Sequence, residues 1–331
     1  MRKITFITAI FVIFALCPAL FANDSGEIKP APWSGYWWPR KVTALFEGWR
    51  GHKPGPLAKY DAYVQQVTGR NPGAVAWEAD VRNNHYNPNA EGWEGHCNGW
   101  AAAAIMTPEP TFSRIRGGIE FTVGDQKALL SEQWMNCYCN FYGHRYWGGS
   151  DDPDDIYPDE FHRVIEKYIG ENKSAVICDI EYEEMVWNFP MYKYTSSWSE
   201  SWFDENKLKV KTTCWFVNDD VGAEFVGTRS FTIDYTYNLY LDKNGNVESG
   251  EWTGKSRRNH PDFIWVPTAD APNPKNGNLE NPRLHPRFVQ QICEGPARET
   301  ERTRSVLDSD EFRTPDDVLR KAGLDPAVLF N

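Results

Sequence analysis

The chain has 331 residues, a formal net charge of −11 and 15% aromatic side chains, 15 of them Trp. The length suits one large domain or two, and the acidity argues against nucleic acid or an anionic membrane as partner. A surface rich in Trp and Tyr suits the binding of sugars or protein chains, and the same residues equally suit an aromatic core.

The chain starts with a signal-peptide pattern. Arg2 and Lys3 precede the apolar run Ile4 to Leu16, and Ala22 is a small residue fit for cleavage, so residues 1–22 are expected to be removed and the protein secreted. The run is too short to cross a bilayer. Cys17 lacks the small preceding residue of a lipoprotein signal and falls in the discarded part. Six cysteines then remain, Cys97, Cys137, Cys139, Cys178, Cys214 and Cys293, and most are expected to pair as disulfides outside the cell. Cys137, Cys139 and His144 make a poor zinc set, with no second ligand pair to complete it.

Residues 23–32 read as a polar N-terminus. Pro32 to Pro39 is an aromatic knot, and Leu57–Val67 a short helix. Asn83 to Gly95 is a polar loop, followed by Cys97 and the helix of Ala101 to Met106, which Pro108 stops. Ile119, Phe121 and Val123 alternate as a strand, and Asp125 is placed to cap the helix that follows. Asp151 to Glu160 holds six carboxylates in ten residues. It reads first as a solvated loop, with a calcium site through Asp151, Asp152, Asp154 and Asp155 as the alternative. Asp159 to Ile169 is an amphipathic helix ended by Gly170, with His162 on the edge of its apolar stripe. Strands follow at Ala175–Tyr182 and, more loosely, Val186–Trp202. Phe231 to Leu241 alternates cleanly, and Asn244-Gly245 turns it into Val247–Thr253. Asn259 to Pro267 is a further strand entered through His260. Residues 271–331 read as a Pro/Asn-rich linker and a helical C-terminal tail, which leaves 23–270 as the main domain. Helices first and an antiparallel sheet later make an α+β fold.

Cys97 sits between Gly95 and Gly99 at the start of the alanine helix. Unpaired N–H groups and the helix dipole favour an anion there, which predicts a readily ionised thiol. The glycines are expected to leave room for a substrate carbonyl. An arbitrary cysteine in a secreted protein is first a structural one; this context reverses that preference and is the arrangement of papain-like nucleophiles. A cysteine nucleophile needs an imidazole and a group to orient it. His260, at a late strand as in papain-like folds, is preferred over the helical His162, and Asp262 lies two residues on. His96 is set aside because it adjoins Cys97 in sequence. The backbone N–H of Cys97 serves as one oxyanion donor; Glu91 stands where papain-like enzymes carry a glutamine.

The stretch Trp93-Glu-Gly-His-Cys97-Asn-Gly-Trp-Ala-Ala-Ala-Ala-Ile, together with Val186-Trp-Asn-Phe-Pro-Met-Tyr-Lys-Tyr194, resembles the transglutaminase elicitor family of oomycetes and some bacteria. Trp33 to Pro39, Gly250 to Trp252 and Asn259 to Phe263 are similar as well. Phe189 stands where the family's elicitor peptide carries glutamine. The resemblance implies a papain-like layout and a calcium-dependent protein-glutamine γ-glutamyltransferase, with Cys97 as nucleophile, His260 as base and Asp262 beside it. Protein or peptide substrates offering Gln and Lys would be the partners. Two other readings stand beside it: a papain-like cysteine peptidase or amidase, and a non-catalytic secreted binding protein with Cys97 in a disulfide.

Overall fold

The structure is a computed structural model that describes residues 22–49, 52–145, 155–180, 185–201, 204–269 and 281–298. Residues 1–21 of the expected signal peptide and Asp151, Asp152 and Asp154 therefore lie outside the described residues. In chain order the elements are β1 (Ala22–Glu27), α1 (Pro56–Thr68), α2 (Ala74–Glu78), α3 (Cys97–Met106), β2 (Arg114–Arg116), β3 (Ile119–Phe121), α4 (Val123–Gln133), β4 (Tyr138–Gly143), α5 (Pro158–Ile165), β5 (Val176–Asp179), β6 (Asn188–Ser201), β7 (Asp204–Val217), β8 (Ser230–Leu241), β9 (Val247–Trp252), β10 (Phe263–Ala269) and α6 (Pro286–Cys293). The fold is α+β, as the order of helices and strands predicts.

One antiparallel sheet runs β4-β10-β5-β6-β7-β8-β9, with β1 paired to β6. β6 is its spine. Along one edge it holds β5, through pairs such as Asp179↔Asn188, and then β1, from Lys193 to Trp198. Its other edge pairs with β7. The residues read as a polar N-terminus thus become a strand, because an extended polar segment can lie along a sheet edge without an apolar pattern. The β8–β9 hairpin forms as expected, with Gly245 at φ +84 and the Asp242 carboxylate accepting from the N–H groups of Asn244 and Asn246.

α3 packs against α4 on one side and β6 on the other. That explains its composition: Trp100 and Ala101 to Ala104 are all buried, so no face is left for polar residues. α4 starts one turn earlier than Asp125 alone would place it. Thr122 is the N-cap, and it and Asp125 form a reciprocal capping box. α5 passes into a π-helical turn at Glu166–Glu171. α6 buries Phe288, Val289 and Ile292 and packs against α4, with Phe288 edge-on to Tyr60 of α1. This part of the expected C-terminal tail belongs to the helical body.

No disulfide joins any two of the six described cysteines, which corrects the expectation of disulfides. Cys178 on β5 and Cys214 on β7 illustrate the reason. Two strand spacings, about 9.5 Å, separate their strands, whereas a disulfide needs Cα atoms under about 7 Å apart. No helix among the described residues is long and apolar enough to cross a membrane.

Candidate active site

Cys97 is the first residue of α3, with His96 as N-cap. Its side chain is buried, and Sγ accepts from Asn188 Nδ2 at 3.6 Å while facing the Val186 carbonyl at 3.9 Å. Asn188 is held in turn by Trp265 Nε1, which donates to its Oδ1 at 2.8 Å. The sheet makes this contact possible: β10 and β6 flank β5, and β5 sets the register on both sides through Trp265↔Ile177 and Asp179↔Asn188. Asp179 Oδ1 accepts the backbone N–H of Trp187, which fixes the turn into β6.

The thiol is not easily ionised in this resting arrangement. Burial pushes its pKa up to about 11; hydrogen bonds from Asn188 oppose the rise, and the nearby carboxyls of Asp219 and Asp179 add to it. The helix start therefore does not by itself yield the low-pKa thiol that the sequence suggests. Asp219, in the β7–β8 connection, is itself lifted to about 7 by burial.

The flanking glycines serve close packing. A Cβ on Gly99 would overlap the Ser131 carbonyl oxygen of α4, and one on Gly95 would stand 2.7 Å from the Trp37 carbonyl oxygen. Their absent side chains are needed by the protein's own neighbours, which replaces the expectation that they clear a path for substrate. The same loop carries Glu91, which is exposed.

His260 has other partners. Its Nδ1 pairs with the Ser256 carbonyl at 2.8 Å, its Nε2 with Asp155 Oδ2 at 3.0 Å, and its ring stacks on Trp252. The structure brings His260 and Asp155 together, and the hydrogen-bond partners of Cys97 are Asn188 and Val186. Asp262 is fully buried; its backbone carbonyl accepts from Ile156, and its charge acts on Cys178. His162 pairs with the Tyr237 hydroxyl and with Glu166. Asp155 is the one described member of the four-aspartate calcium set.

The sequence does not single out Asn188 or Asp219, and it offers Asp179 only as the aspartate that follows His162 in a cysteine, histidine, aspartate order. Asn188 falls in the Val186-Trp-Asn188 segment on which the resemblance partly rests, and the structure lays that segment against Cys97. Phe189, one residue on, sits between the rings of Trp100, Trp187 and Phe231. A groove lined by Trp198, Lys209, Lys211 and Asn238 crosses β6 to β8. It lies about ten residues along β6 from Asn188, roughly 33 Å, and does not belong to this site.

A family model described as "Transglutaminase elicitor" matches residues 79–211 and 201–278. The chain is also similar to the crystal structure of the GP42 transglutaminase from Phytophthora sojae, with a TM-score of 0.63 and 20% identity, covering 81% of this chain and 90% of that one. At that identity the likeness is one of fold. No curated protein sequence matches the chain.

Proposed function

The chain belongs to the transglutaminase elicitor family, and on that footing we propose that it is a secreted acyltransferase, built on a papain-like layout, that joins protein glutamine to a lysine amine. The observation that carries the proposal is a free cysteine at a helix start whose sulfur is met by a fixed side-chain amide, Asn188.

In this reading Cys97 Sγ attacks the glutamine carboxamide carbon. The C–N bond breaks, ammonia leaves with the thiol proton, and a thioester remains. A lysine amine then forms the isopeptide bond and returns a proton to the sulfur. The N–H groups of Asn188 and of the Cys97 backbone supply the oxyanion donors. Because the resting thiol is protonated, a group must take its proton during attack. Asp219 is the titratable neighbour poised near neutral pH, where general bases work best. His260, held by Ser256 and Asp155, is assigned to fixing the segment before β10.

The test is incubation with a glutamine peptide, with and without a lysine peptide, under parallel conditions with calcium or chelator. Amine incorporation with ammonia release that Cys97→Ser abolishes supports the proposal. Cleavage of peptide bonds, or glutamate formation that added amine does not suppress, would establish a hydrolase instead. Comparing Asp219→Asn with His260→Ala decides the base: loss of incorporation in His260→Ala alone would return that role to the imidazole.

A further inference from the structure

Four ionisable side chains converge just behind the nucleophile. Glu78 ends α2, His85 lies in the loop that follows, His96 caps α3 and Glu132 belongs to the last turn of α4. All four are buried, with exposures of 1%, 5%, 1% and 1%. One ligand atom from each falls within 4.8 Å of the others.

The arrangement is poor as a hydrogen-bonded network. His85 Nδ1 lies 3.2 Å from Glu78 Oε2 and 3.6 Å from Glu132 Oε2. His96 Nε2 lies 2.9 Å from Glu132 Oε1 and 3.6 Å from Glu78 Oε1. Yet both nitrogens of His85, Nε2 of His96 and both oxygens of Glu132 have no hydrogen bond, because donors and acceptors are out of line. Buried polar atoms left this way cost several kcal/mol unless something else satisfies them. Lone pairs aimed at a common centre give this pattern. Four ligands at about 2.0–2.1 Å on a tetrahedron lie ~3.3 Å from one another. The nitrogen–oxygen separations here run from 2.9 to 3.6 Å using both oxygens of each carboxylate, and one ligand atom per residue stays within 4.8 Å, so small side-chain shifts close the set on an ion.

The surroundings fit as well. His96 Nδ1 pairs with the Trp38 carbonyl at 2.7 Å, which fixes the tautomer that leaves Nε2 with its lone pair inward. Asn281 donates to Glu78 Oε2 at 3.3 Å and to the Ala74 carbonyl at 3.0 Å, steadying that carboxylate. Two carboxylates and two neutral imidazoles carry a charge of −2, which one divalent cation cancels.

We infer that Glu78, His85, His96 and Glu132 bind a single divalent transition-metal ion, zinc by preference, in a closed structural site that anchors the start of α3. Imidazole nitrogen with carboxylate oxygen suits zinc and its first-row neighbours, and a buried four-ligand set leaves no open position for substrate. The ion would tie α2, the loop after it and α4 to the residue next to Cys97, so it positions the nucleophile without touching the reaction. The competing account is a metal-free quartet in which both imidazoles are protonated. Burial opposes that charge, while Glu132 and Glu78 favour it and hold the pKa of His85 at about 10. That account leaves the misaligned donors unexplained.

The inference goes beyond the acyl-transfer proposal and does not depend on it. The test is elemental analysis of the full-length protein purified without chelator, then stripping and refilling. An equimolar first-row metal, a lower Tm on stripping that zinc restores, and the visible bands of tetrahedral Co2+ after refilling are the expected results. His85→Gln and Glu132→Gln, checked for folding by near-ultraviolet circular dichroism, should weaken zinc retention by at least about tenfold. Cys97→Ser should lose incorporation and keep its metal, which separates this site from the catalytic one. A stripped wild-type protein that takes up neither zinc nor Co2+ would overturn the inference, whether or not the variants fold. So would both folded variants retaining equimolar metal.

Discussion

Asn188 holds the thiol and Trp265 holds Asn188, so each hydrogen bond can be tested through the other. In Asn188→Ala the sulfur loses its side-chain donor and the buried Trp265 N–H loses its acceptor. We expect a stability loss of about 1–3 kcal/mol by denaturant titration and a fall in kcat of roughly 10²–10³-fold. Trp265→Phe should show the first effect with a much smaller second one; equal kcat losses in both would mean that Asn188 only packs. Asp219 gives a pH prediction. Its carboxyl is raised from 3.8 to about 7 by burial, so between those values the folded chain keeps a proton that the unfolded chain releases. Stability therefore falls as pH rises through that window, by at most about 4 kcal/mol, and levels off above it. Asp219→Asn should flatten denaturation midpoints across pH 4 to 7; an unchanged slope would show that Asp219 ionises normally. Cys97 was legible in the sequence because its glycines and alanines are local. Asn188 was not, because 91 residues separate it from Cys97 and only the β5 register closes the gap.

α3 owes its position to a glycine as much as to its alanines. Gly99 lets the helix approach the Ser131 carbonyl of α4 more closely than any Cβ allows. Gly99→Ala should therefore cost about 1–3 kcal/mol by overpacking, although alanine is the better helix former. If the variant instead gains stability, propensity outweighs the contact and the two helices are less tightly apposed than described. The helices at Leu57–Val67 and Ala101–Met106 and the β8–β9 hairpin could be read from sequence because period, cap and turn agree there. β1 could not, since its pairing with β6 is set by backbone hydrogen bonds along a sheet edge. α6 falls in the stretch expected to be helical, but its packing against α4 was hidden for a related reason. Phe288, Val289 and Ile292 show as an apolar stripe only against a known partner, and the Pro/Asn-rich run before them reads as a boundary.

Across the whole molecule α1, α2, α4 and α6 gather around α3, which packs on β5, β6 and β10, whereas α5 packs on β8 and β9; the candidate nucleophile lies inside the α3 contact. α3 touches β5, β6 and β10 as well as α4, which leaves Cys97 only 6% exposed. The cysteines are spread across the rest of this body, buried except for Cys139 on β4, which is partly exposed. Alkylating reagent reaches a thiol only through exposure or through opening of the fold, so labelling order reports on the whole architecture. Native protein treated with iodoacetamide and mapped by mass spectrometry should label Cys139 first, with Cys97 and the remaining thiols far slower. Unfolding in denaturant without reductant should make all six of these thiols available, as the absence of disulfides requires. A glutamine peptide that opens the site should speed modification of Cys97 before turnover, or protect it once the thioester forms, and leave the other rates alone. Rapid labelling of Cys97 in the free protein would show instead that the thiol is already open to solvent, and that the closed contact among α3, β5 and β6 is not the state in which it waits.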